Sequence, residues 1–352
     1  MTHPTVTAPQ TLFFGLDVGD RTTHLCCVDA DRQVVERARF TTSPEGVRET
    51  FADRAPARIV LEVGSQSPWM STLLRSLGHD VLVADARRVV AITRSGRKTD
   101  RRDAEVLARL LQGMPELLGS IHHRGEQAQA DLALVRARDL LVRTRTRCVQ
   151  HARGTLKGFG LRVRACSASS FHRTARGVVP EVLQPALAPV LDHLEELERK
   201  ICHYDREIAR VTIERHPEAS RLQQVCGVGP LTSLAFVLTV DDPTRFARSR
   251  TVGSWVGLCP RVQASGDKDP QLSISKTGCS YLRRLLVQSA HYVLGPHGKE
   301  CDLRTFGLRI CERGGKAAKG RAAVAVARKL AVLLHRLWVS DRPYEPLRNA
   351  TA

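Results

Sequence analysis

The N-terminal part of the chain alternates short apolar segments with polar turns and amphipathic stretches, a pattern typical of an α/β domain. Apolar segments at 12–18, 24–28 and 34–40 predict three strands, and the polar turn 29–32 predicts that they form an antiparallel meander. By the same criteria we expect helices at 44–52, 68–77 and 101–111 and further strands at 58–63 and 81–84. These elements predict an α/β domain over residues 12–118.

Four acidic residues stand at the edges of these elements. Asp17 ends the first strand, Glu62 ends the fourth, and Asp100 and Asp103 open the last helix, with Asp100 as its N-cap. Residues three apart in one helical turn share a face, so both could reach a metal ion held by the other two. Each carboxylate taken singly also fits an ordinary role as a cap, a first-turn acid or a turn residue. Their combined order, strand Asp, strand Glu and helix DxxD, favours a metal site of the ribonuclease H type that binds Mg²⁺ or Mn²⁺.

The middle of the chain, 119–217, combines a basic helix with a second helix of heptad character. Residues 134–165 carry nine Lys or Arg against the single Asp139: Arg136, Arg138, Arg143, Arg145, Arg147, Arg153, Lys157, Arg162 and Arg164. Aromatic residues are nearly absent, so we expect contacts to backbone phosphates rather than base stacking. Structured RNA is as plausible a ligand as duplex DNA.

After a stretch that reads as a loop, Ser167 to Pro189, apolar or aromatic residues recur in a 3-4-3-4 rhythm typical of a coiled coil. They are Leu187, Val190, Leu194, Leu197, Ile201, Tyr204, Ile208 and Val211. The predicted helix 190–213 pairs either with its equivalent in another chain or with helix 131–158 of the same chain, because periodicity does not identify the partner.

The C-terminal part, 218–340, has its own glycine turn and basic surface. The segment 225–236 has the Gly-x-Gly spacing of a helix-hairpin-helix turn, whose backbone amides can hold a DNA phosphate. The same spacing also serves any tight turn. The expected final helix has one apolar face and one basic face. The basic residues of this part are Lys276, Arg283, Arg284, Lys316, Lys319, Arg321, Arg328, Lys329 and Arg336.

Composition narrows the class of partner. The 352 residues contain 54 Lys and Arg against 36 Asp and Glu, a formal charge of +18, with a pI near 10.1. Such a charge attracts polyanions. No apolar segment is long enough to span a bilayer, and the N-terminus has no signal-peptide pattern, so we expect a cytoplasmic protein without a membrane partner. The ten cysteines are scattered without a CxxC pair, which argues against a zinc site.

Resemblance to a known family lies first in the N-terminal part, in the segments FGLDVGDRTTHL, LEVGSQSPW and RKTDRRDAEVLARLL. They resemble the Holliday-junction-resolvase-like (RuvC-like) DEDD domain of insertion sequence 110 type transposases. The resemblance implies an RNase H-like fold in which Asp17, Glu62, Asp100 and Asp103 are the metal ligands. The basic residues beside the last pair are expected to hold phosphate: Arg97, Lys98 and Arg101.

A second resemblance covers the segment from Arg245 to His291, which is similar to the C-terminal transposase domain of the same family in GLCP, QASG, ISKTG and LR, in that order and spacing. The resemblance implies that Ser265 is a nucleophile that forms a phosphoserine link with DNA, with Ser273 and Ser275 as alternatives. Ser265-Gly266 also fits ordinary turn chemistry, and no neighbouring base is evident to activate the hydroxyl.

The combined prediction is a transposase or recombinase with a RuvC-like domain, a helical coiled-coil middle and a mainly α C-terminal domain with a helix-hairpin-helix-like turn. We expect it to act on element ends and target DNA as a homo-oligomer, a dimer or tetramer. The family likeness also implies a non-coding RNA partner that pairs with DNA, so that sequence is read by base pairing. Two other readings remain open: a junction-type endonuclease that uses the acidic site and water, and a non-catalytic nucleic-acid-binding remnant of an element.

Overall fold

The computed structural model describes residues 11–86, 88–89, 100–261, 272–315 and 317–348, with only the backbone of Asp100 and Arg101. It contains two compact units, Met1–Arg124 and Gly125–Ala352, called here the N-terminal unit and the C-terminal unit. The division of the second unit into a helical middle and a separate transposase domain stays a prediction. Within the described residues, no helix has the length and apolar character needed to cross a membrane.

The N-terminal unit is built on a mixed five-stranded sheet in the order β3-β2-β1-β4-β5. The strands are β1 (Phe13–Val18), β2 (Thr22–Val28), β3 (Val34–Thr41), β4 (Arg58–Glu62) and β5 (Asp80–Ala84). The first three form the predicted antiparallel meander, while β4 and β5 run parallel to β1. Each strand lies within two residues of its predicted position. The arrangement is consistent with an RNase H-like domain.

Helices cover both faces of this sheet. They are α1 (Pro44–Phe51), α2 (Ser67–Ser76), α3 (Asp100–Gly113) and the single turn α4 (Pro115–Leu118). Side chains alternate between the faces, so that Phe14 and Leu16 belong to the core cluster on the α1 and α2 side, whereas Phe13 packs with Leu107 of α3 on the other. Helix α3 includes Asp100 within its bounds, and the residues just before it lie outside the described part of the chain, so the N-cap role of Asp100 stays a prediction.

The C-terminal unit is helical in its described part. Its helices are α5 (Glu126–Gly158), α6 (Phe171–Arg176), α7 (Gln184–Arg215), α8 (Pro217–Leu222), α9 (Pro230–Val240), α10 (Arg250–Trp255), α11 (Ser280–Leu294), α12 (Asp302–Glu312) and α13 (Ala318–Ser340). Two 3₁₀ turns lie at Glu181–Leu183 and Pro243–Arg245. A large core cluster joins α8–α13 through residues such as Phe236, Leu286 and Leu330.

Helix α7 folds back on α5 within the same chain, which decides between the two predicted partners. Leu194 and Leu197 pack in one cluster with Leu156 of α5, and further along Ile208 packs with Val135. The heptad pattern is therefore satisfied intramolecularly along this face. Leu191, rather than the predicted Val190, is the fully buried residue of its turn.

The predicted loop at 167–189 is wrong, because this stretch contains α6, a 3₁₀ turn and the first turns of α7. Pro189 lies inside α7, where it cannot donate the usual backbone hydrogen bond. Leu183, Leu187 and Leu191 are buried in the same cluster. Burial of these side chains offsets the lost hydrogen bond, and the helix continues through the proline.

The predicted glycine turn joins two helices, α8 and α9. Gly227 has a φ of 80°, in the left-handed region that favours glycine. A Cβ atom there would lie 2.9 Å from the carbonyl oxygen of Ser289, so the turn packs closely on α11. Helix α9 is buried from Thr232 to Val240. Phosphate binding by this helix-hairpin-helix-like turn stays a prediction.

Candidate active site and nucleic-acid surfaces

Two predicted metal ligands, Asp17 and Glu62, lie at the carboxyl ends of neighbouring parallel strands. The register of β1 and β4 places Leu16 opposite Leu61, so Asp17 and Glu62 are the next residues on the two strands. Adjacent strands in a sheet lie about 4.8 Å apart. Both side chains are half-buried. The sheet therefore brings the two carboxylates side by side at its carboxyl end.

These two carboxylates also share one face of the sheet, the face that α3 covers. Gly15 lies two residues before Asp17 and projects to the same side. A Cβ atom at Gly15 would overlap the carbonyl oxygen of Ala104 in α3. In β4, Val60 stands two residues before Glu62 and packs in the same cluster as Ala104. Helix α3 thus packs directly against β1 at Gly15. Asp17 is the next residue of β1 that faces the same side of the sheet.

The direction of α3 brings its acidic first turn to the same end. Near the end of the helix, the Gln112 side-chain amide donates to the carbonyl oxygen of Ala30 at 2.9 Å, in the turn between β2 and β3. Strand β1 begins beside that turn, and Asp17 is its second-last residue. The first turn of α3, with the backbone of Asp100 and the half-buried Asp103, is therefore at the Asp17 end.

The donor set fits a hard divalent cation. All four predicted ligands are carboxylates, and Mg²⁺ binds through few carboxylates together with water and phosphate oxygens. Among the side chains that the structure describes, no three His, Cys, Asp or Glu form a closed metal-binding group. The Asp100 side chain lies outside that description. Asp17, Glu62, Asp103 and Asp100 therefore stay the predicted ligands of such an ion.

Sequence reasoning missed two histidines near this end of the sheet. His24 is paired with Asp17 across β1 and β2 and is half-buried. Only the strand register, which follows from the meander, could have identified it. His123 lies 2.9 Å through Nε2 from the hydroxyl of Ser67, which donates to the carbonyl oxygen of Gly64. Burial and then the neighbouring cations lower the pKa of His123, so this contact holds the loop after β4 with a neutral imidazole.

The predicted phosphate-binding residues next to α3 cannot be placed. Arg97 and Lys98 lie outside the described residues, and only the backbone of Arg101 is described. Their contribution to the acidic site stays a prediction.

Some basic residues of α5 have a partner within the protein, and others do not. Arg145 pairs with Glu198 of α7 at 2.5 Å, and its side chain is only 17% exposed. Arg143 pairs with Asp139 at 2.5 Å, and the guanidinium of Arg153 lies 5.2 Å from the centre of the Phe171 ring.

Two of the exposed predicted phosphate contacts on α5 have no carboxylate partner among the described residues. Arg147 and Lys157 are solvent-exposed, and no carboxylate among the described residues pairs with either of them. Arg136 is exposed on the same side of the helix. Residues 136, 143 and 147 are separated by seven and four positions, so they form one stripe along α5.

This difference predicts that substitution of Arg147 weakens nucleic-acid binding, whereas substitution of Arg145 lowers the stability of the fold. We expect Arg147→Gln to weaken nucleic-acid binding about equally for all sequences and to lower the slope of log affinity against log salt by about 0.9 on duplex DNA. It should leave the melting temperature unchanged. Arg145→Gln should instead destabilise the fold by about 1 kcal/mol, because it leaves Glu198 unpaired between two helices. Binding titrations at several salt concentrations and thermal unfolding of both variants test this. The reverse assignment of the two effects would contradict it.

The predicted nucleophile, Ser265, lies outside the described residues, but the segments on either side of it are paired. The Ser275 N–H donates to the carbonyl oxygen of Cys259 at 2.8 Å, and the Arg261 N–H donates to that of Ser273 at 3.0 Å. We call these two paired segments, 259–261 and 273–275, the hairpin stem. The chain between its two segments carries Ser265.

The alternative nucleophiles belong to the stem itself. The Ser273 hydroxyl accepts a hydrogen bond from the Arg261 guanidinium at 3.1 Å, and the Ser275 hydroxyl lies 3.0 Å from that of Thr277. Of the predicted phosphate contacts here, Lys276 is exposed with a φ of 56°. Arg283 is engaged by the protein backbone, since it donates to the carbonyl oxygens of Val256 at 2.8 Å and Thr277 at 2.6 Å.

Two glycines allow close backbone packing at the base of the stem. Gly257 and Gly278 have φ values of 76° and 67°, which only glycine adopts readily. A Cβ atom at Gly257 would overlap the backbone of Thr277, and one at Gly278 would overlap the carbonyl oxygen of Trp255. The stem is therefore held by direct contact of two backbone segments.

Comparison with known proteins agrees with this arrangement. A transposase family model, that of the DEDD transposases of IS110, matches residues 14–160, which include all four acidic residues. A second model, described as the transposase IS116/IS110/IS902 family, matches residues 219–301, which include the hairpin stem.

Curated relatives extend over most of the chain. A probable family 20 transposase of Pseudomonas aeruginosa is 28% identical over 94% of this chain and 98% of its own length. The transposase for insertion sequence element IS1111A of Coxiella burnetii is 28% identical over 94% of this chain and 90% of its own. A pilin gene-inverting protein of Moraxella bovis is 27% identical over 44% of this chain and 47% of its own. With two family models in the expected order and relatives of full length, this chain belongs to the IS116/IS110/IS902 family of transposases.

Proposed function

We propose that this protein is a metal-dependent DNA recombinase that moves an insertion sequence by cutting and rejoining DNA strands, with Ser265 as the nucleophile. The observation that carries the proposal is the position of Asp17 and Glu62 on adjacent parallel strands, under the helix whose first turn contains Asp103. Asp100 is the fourth proposed ligand. A single carboxylate there would fit an ordinary structural role, whereas several at one end of a sheet fit a metal centre for phosphodiester chemistry.

The chemistry divides between the two parts of the chain. Bound Mg²⁺ or Mn²⁺ would neutralise charge on the scissile phosphate and stabilise the attacking and leaving oxygens. The Ser265 oxygen attacks phosphorus and forms a P–O bond, while the bond to the leaving strand breaks. The serine proton goes to solvent, and the leaving oxygen takes a proton from solvent. A hydroxyl of another DNA strand then attacks the phosphoserine, which restores the serine and rejoins DNA.

Two kinds of support favour recombination over simple hydrolysis. Relatives over the whole length carry the name transposase, and a partial relative is named for inverting a pilin gene. Inversion of a DNA segment requires rejoining as well as cutting.

The exposed basic stripe of α5 suits the phosphates of a structured RNA as well as of DNA, and we include an element-encoded guide RNA in the proposal.

The proposal includes a homo-oligomer, although not through the heptad face of α7. Ile201 and Ile208, which lie on that face, are only 2% and 1% exposed within one chain. A dimer or tetramer would therefore assemble through other surfaces.

The decisive experiment is a search for a covalent protein–DNA adduct. The purified protein is incubated with Mg²⁺, DNA of the element end and the adjacent transcribed RNA, and the products are separated on a denaturing gel. We expect an adduct with the wild type and with Ser273→Ala and Ser275→Ala, and none with Ser265→Ala. Cleavage without an adduct that survives Ser265→Ala would make the protein a hydrolytic nuclease of the junction-resolving kind. No cleavage by any form would favour a non-catalytic binding protein.

A further inference from the structure

The C-terminal unit contains a long groove that no part of the proposed chemistry uses. It encloses about 1440 Å³, which exceeds the roughly 300–1,000 Å³ of sites for single small ligands. Its floor is the outward face of α13. The hairpin stem, with Pro260 and Ile274, also lines the groove, as do the start of α12 and residues of the tail 342–348.

Cations follow the floor of this groove in a row. Arg321, Arg328, Lys329 and Arg336 are exposed and line it, at positions that recur on one face of α13. With a rise of 1.5 Å per residue, the row is about 22 Å long. Among the described residues, none of the four pairs with a carboxylate. Three more arginines line the groove against only two acidic residues, an excess of positive charge that attracts polyanions.

Between the cations the floor is apolar. Val332 and Leu333 of α13 belong to this floor. Phe306 of α12 adds an aromatic ring from the side, with the Lys329 ammonium 3.8 Å from the ring centre. A groove that tracks a phosphate backbone with cations and offers apolar surface to base faces is typical of single-stranded nucleic-acid sites. A helix that reads duplex DNA must protrude into the major groove. Helix α13 lies at the bottom of a concave surface, which disfavours a duplex.

The walls of the groove are held in place. The Asp302 N–H donates to the carbonyl oxygen of Pro346 at 2.8 Å, and the Tyr344 N–H donates to the Gln224 side chain at 2.8 Å. The Tyr344 side chain packs against the core cluster of the C-terminal unit, which anchors the tail. The hairpin stem, which also lines the groove, is held by the backbone contacts at Gly257 and Gly278.

We propose that this groove binds one unpaired strand of nucleic acid, with phosphates on the α13 cations and bases on the apolar floor. The strand would pass beside the hairpin stem from which the Ser265 segment departs. The inference deepens the proposed function by naming where a separated strand is held, and its test requires neither cleavage nor metal.

The test measures binding of a fluorescent oligo(dT) of about 12 nucleotides, within the site size of single-strand grooves, by anisotropy. The full chain is used in EDTA. The groove variant is Arg328→Glu with Arg336→Glu. The matched control is Arg309→Glu with Lys319→Glu, which changes net charge equally at exposed cations outside the groove lining. We expect the groove variant to bind about 10-fold more weakly than the control and its salt slope to fall by about 1.4.

A second groove variant distinguishes a loss of binding from a folding defect. The Arg328 side chain packs on Gly253, so Arg321→Glu with Arg336→Glu is measured in parallel, and melting temperatures are compared. Equal weakening by the groove and control pairs overturns the proposal. So does competition by duplex as effective as by single strand, or displacement of the oligonucleotide by poly-glutamate at lower concentration, which would identify an acidic-peptide groove. Absence of a covalent adduct with the wild-type protein would defeat the proposed function alone and leave this binding measurement standing.

Discussion

Glu62→Gln and Asp17→Asn are each expected to reduce metal-dependent strand cleavage by about 10³-fold or more, equivalent to about 4 kcal/mol of transition-state stabilisation. Each change keeps the shape of the side chain and removes one negative charge from the end of the sheet. A divalent cation bound there loses affinity because its ligands supply both oxygens and charge. Nucleic-acid binding should persist, since the basic stripe of α5 is unchanged.

The cleavage assay is paired with calorimetric titration of Mg²⁺ or Mn²⁺. The heat of metal binding should be lost in Glu62→Gln and in Asp103→Asn. Asp80→Asn is the matched control, because Asp80 lies at the opposite end of the sheet, where it begins β5 and pairs with Arg58. It should retain both cleavage and heat. Unchanged cleavage in Glu62→Gln would show that the acidic cluster is not the catalytic centre.

Gly15→Ala is expected to destabilise the N-terminal unit by about 3 kcal/mol. The added methyl group would overlap the carbonyl oxygen of Ala104 and lie 2.5 Å from the backbone nitrogen of Ala108. Both obstacles are backbone atoms, which cannot rotate away as a side chain can. The helix must move off the sheet, and the acidic first turn of α3 moves with it. Cleavage should therefore fall together with stability.

Differential scanning calorimetry of Gly15→Ala measures this effect. Gly64→Ala is the control, since a Cβ atom at Gly64 meets no atom within 4 Å and the residue follows the next strand of the same sheet. It should melt close to the wild type. A Gly15→Ala protein with an unchanged melting temperature would mean that α3 does not pack against β1 at this point.

The strands of the N-terminal unit follow from the local sequence because each is a short apolar or alternating segment between turn residues. Asp17 and Glu62 could be proposed as metal ligands from the sequence because each is a carboxylate near the end of an apolar strand segment. The heptad positions of α7 were equally visible. The predicted loop at 167–189, in contrast, was wrong, because local propensity gave way to the burial of the leucines around Pro189.

The sequence by itself determined which residues are apolar, acidic or basic and how they alternate, and thereby the strands, the amphipathic helices and the acidic positions. Only the tertiary structure decided what lies against each face. It assigned α5 as the partner of α7, turned Arg145 and Arg283 toward groups of the protein, placed His24 beside Asp17, and formed a groove over the basic face of α13. Periodicity defines a face, but its partner depends on contacts between residues far apart in the chain, which no local pattern records.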